Sequence, residues 1–126
     1  MVKNIQTGDR FYIDDGIPVV VVGIEHGYTY RNVDVMMAGN MIMTISEKQL
    51  RPVSMTETKK LLRYNKKEYR FDAIKADNKF NPKTNTLFVT AHNDSIIGEN
   101  QIVLQVNHLH DIQNAVRLIT GKEILL

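Results

Sequence analysis

Through the first 53 residues, short runs of β-branched and aromatic residues alternate with Gly, Asn and Asp, a spacing that favours short antiparallel strands. Between Asp9 and Asp14, Phe11 and Ile13 fall on one face and Arg10, Tyr12 and Asp14 on the other. Asp15-Gly16 then reads as a tight turn, because glycine accepts a positive φ. A valine-rich run from Ile17 to Glu25 follows, with Pro18 near its start and Gly23 marking a bend or bulge. Val33 to Met37, the Gly39-Asn40 turn, Met41 to Ile45 and Leu50 to Val53 complete a set that predicts a small, bent antiparallel β-barrel over residues 1–53.

Three stretches give this region a likeness to a known family: Thr7-Gly8-Asp9-Arg10 opening the first strand, Val20-Val21-Val22-Gly23-Ile24 in the second, and Ser46 to Val53 closing the set. Residues 6–53 resemble the SH3-like barrels, including their KOW and Tudor-like members. The resemblance implies a binding module for proline-rich peptides, modified tails, RNA or DNA, with Tyr12, Tyr28 and Tyr30 as the aromatic candidates.

The pattern changes at Ser54-Met55-Thr56-Glu57, a capping box in which the serine and glutamate side chains satisfy each other's helix-start donors. It predicts a helix from Met55 to about Tyr64 and a boundary that leaves residues 54–126 as an α+β region packed on the barrel. Alternation from Tyr69 to Ala76 predicts a strand, with a continued helix as the competing reading of residues 66–76. Asp77 to Asn85 reads as a turn around Asn81-Pro82, followed by strands at Leu87 to His92 and Gln101 to Val106. Leu109, Ile112, Ala115, Val116 and Ile119 form one apolar stripe of a last helix, which Gly121 terminates. The whole chain is therefore expected to be α+β.

Composition narrows the chemistry. With 43% hydrophobic and 24% charged residues the chain lies outside the regime of wholesale disorder. Zero Cys removes disulfides, thiolate metal sites and cysteine nucleophiles. The longest apolar run, Ile17 to Val22, is far short of the roughly 20 residues of a spanning helix. The first residues lack the apolar core of a secretory signal, so the expected setting is the cytoplasm, with no membrane partner. A net charge of +2 demands no polyanionic partner by itself. Ile124, Leu125 and Leu126 could cover the chain's own sheet or mediate self-association alongside the C-terminal helix.

Catalytic and metal motifs fare poorly. His26, His92, His108 and His110 do not form a zinc-ligand pattern. Ser95, His92 and Asp94 crowd one loop where a triad needs separate elements. Every glycine is isolated, so no phosphate-cradling fingerprint exists. No catalytic residue, metal ligand or cofactor is assigned, and the expectation is a protein that is not an enzyme.

The most lopsided local composition runs from Lys59 to Phe71, with six cations, one acid and three aromatics in 13 residues. Arginine offers a planar fork to phosphate, lysine a point charge, and tyrosine or phenylalanine a face for a base. Pairing the strand Tyr69 to Ala76 with Asn85 to His92 sets Tyr69 opposite Ala91 and Glu68 opposite His92, bringing the His92-Asn93 loop beside the basic segment. Tyr30 and Arg31, in a hairpin tip, repeat the same chemistry. The candidate ligand-binding residues are therefore Tyr30, Arg31, Arg63, Tyr69, Arg70, Phe71, His92 and Asn93. The expected function is sequestration of a phosphate-bearing, nucleotide-type small molecule, in the manner of small phage proteins that absorb bacterial defence nucleotides. The alternative is an SH3-like or KOW-type adaptor contacting RNA, DNA or a protein.

Overall fold

Alternating burial organises the first part of the chain. The computed structural model describes residues 2–26, 31–92, 99–124 and 126, and the chain divides into two compact units, Met1–Val53 and Ser54–Leu126. In the first unit, β1 (Arg10–Ile13), β2 (Ile17–His26), β3 (Arg31–Met37), β4 (Met41–Ser46) and β5 (Arg51–Pro52) form one antiparallel sheet in the order β4-β3-β2-β1-β5. Register sets Phe11 opposite Val19, Val21 opposite Val35, and Val33 opposite Ile45. These side chains share one face and bury together with Ile5, Ile13 and Leu50.

The turns follow from the residues that can adopt them. Gly16 has φ +109° and donates its N–H to the Ile13 carbonyl at 3.2 Å, closing the β1–β2 hairpin. The register of β2 against β3 shifts between Val21 and Gly23, the bulge that an isolated glycine in a strand signals. A Cβ at Gly23 would stand 3.1 Å from Asp34 Oδ2, so a larger residue there must displace that carboxylate by a few tenths of an ångström. Among the described residues the expected barrel is not closed by strand pairing: β4 and β5 are the two edges of an open sheet. β5 is only two residues long and includes Pro52, which has no N–H to donate to a ladder.

In the second unit, α1 (Met55–Leu61) starts at Ser54, whose hydroxyl accepts the Glu57 N–H at 3.3 Å. It stops short of the expected Tyr64, because Arg63 turns left-handed at φ +54° and Tyr64 enters a strand. β6 (Tyr64–Asn65) and β7 (Arg70–Phe71) make a two-stranded hairpin. β8 (Asp77–Asn81), β9 (Thr86–His92) and β10 (Glu99–Gln105) form a three-stranded antiparallel sheet. α2 (Leu109–Thr120) covers one face, burying Leu109, Ile112, Ala115 and Val116, and ends at Gly121 with φ +68°. The fold class is α+β, with antiparallel sheets and, among the described residues, two α-helices.

The expected strand over 69–76 is corrected. Ala73 and Ile74 are adjacent and both buried, which a half-buried strand cannot arrange. The partner of β9 is instead β8, with Asp77 opposite Thr90 and Phe80 opposite Leu87, within the stretch expected to be a turn. Tyr69 therefore does not face Ala91, which pairs with Asn100, and Glu68 does not face His92, which pairs with Glu99. At the end of the chain Ile124 is buried and Leu126 exposed, while Leu125 lies outside the described residues. No described helix is long and apolar enough to cross a membrane.

Candidate functional site

The β6–β7 hairpin is shaped by its own polar groups. Asn65 Oδ1 accepts the N–H groups of Lys67 at 3.0 Å and Glu68 at 3.2 Å, folding the turn back. Tyr69 closes it in the left-handed region at φ +54°, a costly conformation for a bulky residue. The hairpin is then joined to β8: the Phe80 N–H reaches the Tyr69 carbonyl at 2.7 Å, and Asn78 bonds the main chain of Phe71.

Beneath it lies an aromatic floor. Phe71, fully buried, packs against Phe80 at 5.1 Å between ring centroids and against Tyr64 at 5.4 Å, and Tyr64 meets Phe80 edge-on at 5.6 Å. Lys59 Nζ stands 5.7 Å from the centre of the Tyr64 ring, so this cation is engaged by aromatic faces. Burial, and secondarily the neighbouring Tyr69, push the Tyr64 phenol above its ordinary pKa.

Between the hairpin and the open face of the three-stranded sheet runs a cleft of about 1390 Å³. Lys67, Arg70, Lys79 and Lys83 line it, with Glu68, Asp72 and Asp77 among them. Two large aromatic side chains are exposed along it, Tyr69 at 56% and Phe88 at 37%. Phe88 points outward because Leu87 and Val89 occupy the buried face of β9, and Lys79 stands directly opposite it on β8. One register step away, Asp77, Thr90 and Gln101 form a polar row, with Gln101 Nε2 donating to Thr90 Oγ1 at 3.4 Å. Asn65, Asn78 and Asn81 each have a side-chain oxygen committed to a main-chain N–H, which leaves Thr90 and Gln101 better placed to read a ligand.

The residues expected to form the site separate. Tyr69 and Arg70 line the cleft. Arg70 Nε bonds Glu68 at 2.7 Å and lies 3.4 Å from Asp72, and since all three are substantially exposed, an incoming phosphate can compete at modest cost. Phe71 is excluded as a stacking platform, because its ring is the floor of the cleft and meets no solvent. Arg63 is exposed but outside the cleft lining. Arg31 belongs to the first unit, where it pairs with Glu47 at 2.6 Å. His92 is the last residue of β9, and Tyr30 and Asn93 lie outside the described residues, as do residues 94–98.

Sequence reasoning missed Lys79, Lys83, Phe88, Thr90 and Gln101. The available signal was Phe88 itself, an aromatic on the polar side of a Leu87–Val89 alternation, flanked by Thr86 and Thr90. Elsewhere, the His108 and His110 rings stack at 5.8 Å beside Asp111, whose carboxylate accepts the N–H groups of Asn107 and His108 at the start of α2. Among the described residues no group of three or more His, Asp or Glu side chains could hold a metal ion. Comparison with protein families, with curated proteins and with solved structures finds no match to this chain.

Proposed function

We propose that the cleft of the second unit holds a phosphate-bearing, nucleotide-type small ligand, and that the protein sequesters this ligand without turning it over. The observation that carries the reading is the convergence of two exposed rings, Tyr69 and Phe88, with Lys67, Arg70, Lys79 and Lys83 in one open cleft. Rings supply stacking faces, the cations answer phosphate charge, and Thr90 with Gln101 offers hydrogen bonds to a base or sugar. Four cations set against three carboxylates favour a ligand with few phosphates over a polymer, whose repeating charges would also meet Glu68, Asp72 and Asp77. The strained backbone of Tyr69 adds support, since such strain is concentrated at ligand-contacting positions. The proposed setting is cytoplasmic, and sequestration of a defence nucleotide by a phage-encoded protein is the biological role that fits this mode.

The test is recovery of the ligand. The protein is incubated with cell extract, freed of unbound material and heated, and the released compounds are identified by mass spectrometry. An unmodified nucleotide supports sequestration, and a chemically altered one supports an enzyme.

The adaptor reading is supported by the first unit's strand order, β4-β3-β2-β1-β5, with a single 3-10 turn at Glu47–Gln49 between β4 and β5, an arrangement suited to an SH3-like module. A steep fall in binding with salt, reflecting release of several counterions from a polymer, would favour it.

A further inference from the structure

The two edges of the first unit's sheet are unlike. β5 has the features that discourage pairing: two residues, one a charged Arg51 and the other Pro52. β4 has none of them. It runs for six residues, Met41–Ser46, without a charge or a proline, and among the described residues is paired on one side only, with β3. Its other side therefore presents main-chain donors and acceptors that a further strand could satisfy.

The side chains at this edge are apolar and accessible. Met41 is 62% exposed, Ile42 65% and Met43 38%. Four of the six methionines, at positions 36, 37, 41 and 43, gather in this hairpin, and the unbranched thioether adapts its shape to whatever packs on it. The charged residues of the adjoining strand are engaged: Arg31 by Glu47 at 2.6 Å and Asp34 by the Thr44 hydroxyl at 2.5 Å.

We propose that the β4 edge is a self-association surface, pairing antiparallel with the same edge of a second copy across a two-fold axis near Ile42. A second copy fits better than a charged peptide because the strand has no charge to select a complementary partner, and self-pairing sets no like charges opposite one another. Antiparallel pairing brings Met41 against Met43 of the second copy and joins two five-stranded sheets into one. The three exposed side chains offer less area than the ~800 Å² per partner of a standard stable interface, so the dimer is weak and concentration-dependent. The residues of this edge are not among those lining the cleft, so the proposal does not rest on the ligand reading.

Sedimentation velocity on the full chain over a wide concentration range tests it. The wild type shifts from monomer to dimer as concentration rises. Ile42→Lys and Ile42→Glu each raise the dissociation constant at least about tenfold, because like charges then face each other across the strand pair, while an equimolar mixture of the two recovers a dimer. Met41→Lys and Met41→Glu, whose side chains lie diagonally across the axis, carry a weaker form of the same comparison if either Ile42 variant loses its far-UV circular dichroism. A wild type that stays monomeric overturns the proposal. So does a dimer insensitive to these charges, or one lost only on replacing Leu118, exposed on α2, and Leu126.

Discussion

The Asn78 side chain bonds Phe71 through both of its main-chain groups: Oδ1 accepts the Phe71 N–H at 2.7 Å and Nδ2 donates to its carbonyl at 3.2 Å. A second bond from Nδ2 reaches the Ala76 carbonyl at 3.0 Å. The amide thereby substitutes for a neighbouring strand on the side of β7 turned away from β6, and it ties one wall of the cleft to β8.

Asn78→Ala removes all three bonds at a half-buried position, for a loss of about 2–3 kcal/mol at roughly 1 kcal/mol each. Urea unfolding followed by circular dichroism should show a lower midpoint with an unchanged slope. An unchanged midpoint would mean that the hairpin is held by other contacts.

Phe71 and Tyr69 should respond oppositely. Phe71→Ala deletes a fully buried ring and should destabilise by about 3–5 kcal/mol, while Phe71→Leu should be milder and retain ligand binding.

Tyr69→Gly removes an exposed ring from a left-handed position, where glycine has no Cβ penalty of about 1–2 kcal/mol, so stability should hold or rise despite the added chain entropy. Nucleotide affinity should fall by roughly five- to 150-fold, the range expected for losing one stacking partner at about 1–3 kcal/mol. Thermal melts and equilibrium dialysis of the two variants separate a core role from a binding role.

Much of the architecture was legible in the sequence. The β1–β4 hairpins, the Gly23 bulge, the Ser54 cap and the apolar stripe of α2 each rest on a local rule that tertiary contacts reinforce. β8 was not legible, because Asp77-Asn78-Lys79-Phe80-Asn81 contains one apolar residue and its second inward position is Asn78, whose amide is satisfied mainly by the main chain of Phe71, seven residues away. Without β8 in place, the cleft beside the β6–β7 hairpin could not be drawn. Tyr69 and Arg70 were found from composition, whereas Lys79, Lys83 and Phe88 join them only through the β8–β9 register.

His108 predicts a pH dependence. Burial holds its ring below the ordinary histidine pKa, opposed by the Asp111 carboxylate and reinforced by the adjacent His110. The unfolded chain therefore binds the proton more readily than the folded one, so this contribution is complete above about pH 6.5 and is lost as the pH falls through the lower folded value. His108→Asn preserves a good helix-capping residue and removes the titration. Melting temperatures measured from pH 7.5 down to 5 should fall less steeply in the variant than in the wild type, and parallel curves would contradict the assignment.

The most direct test of the cleft is to map a nucleotide onto it. Amide chemical shifts of the full chain are recorded by NMR during titration with a nucleoside 5′-triphosphate, with Lys79→Ala/Lys83→Ala as the weakened comparison. The account predicts saturable shifts concentrated at Lys67 to Arg70, Lys79 to Lys83 and Phe88 to Thr90, reduced in the double variant. Shifts confined to residues 1–53, or no saturable change at all, would contradict it.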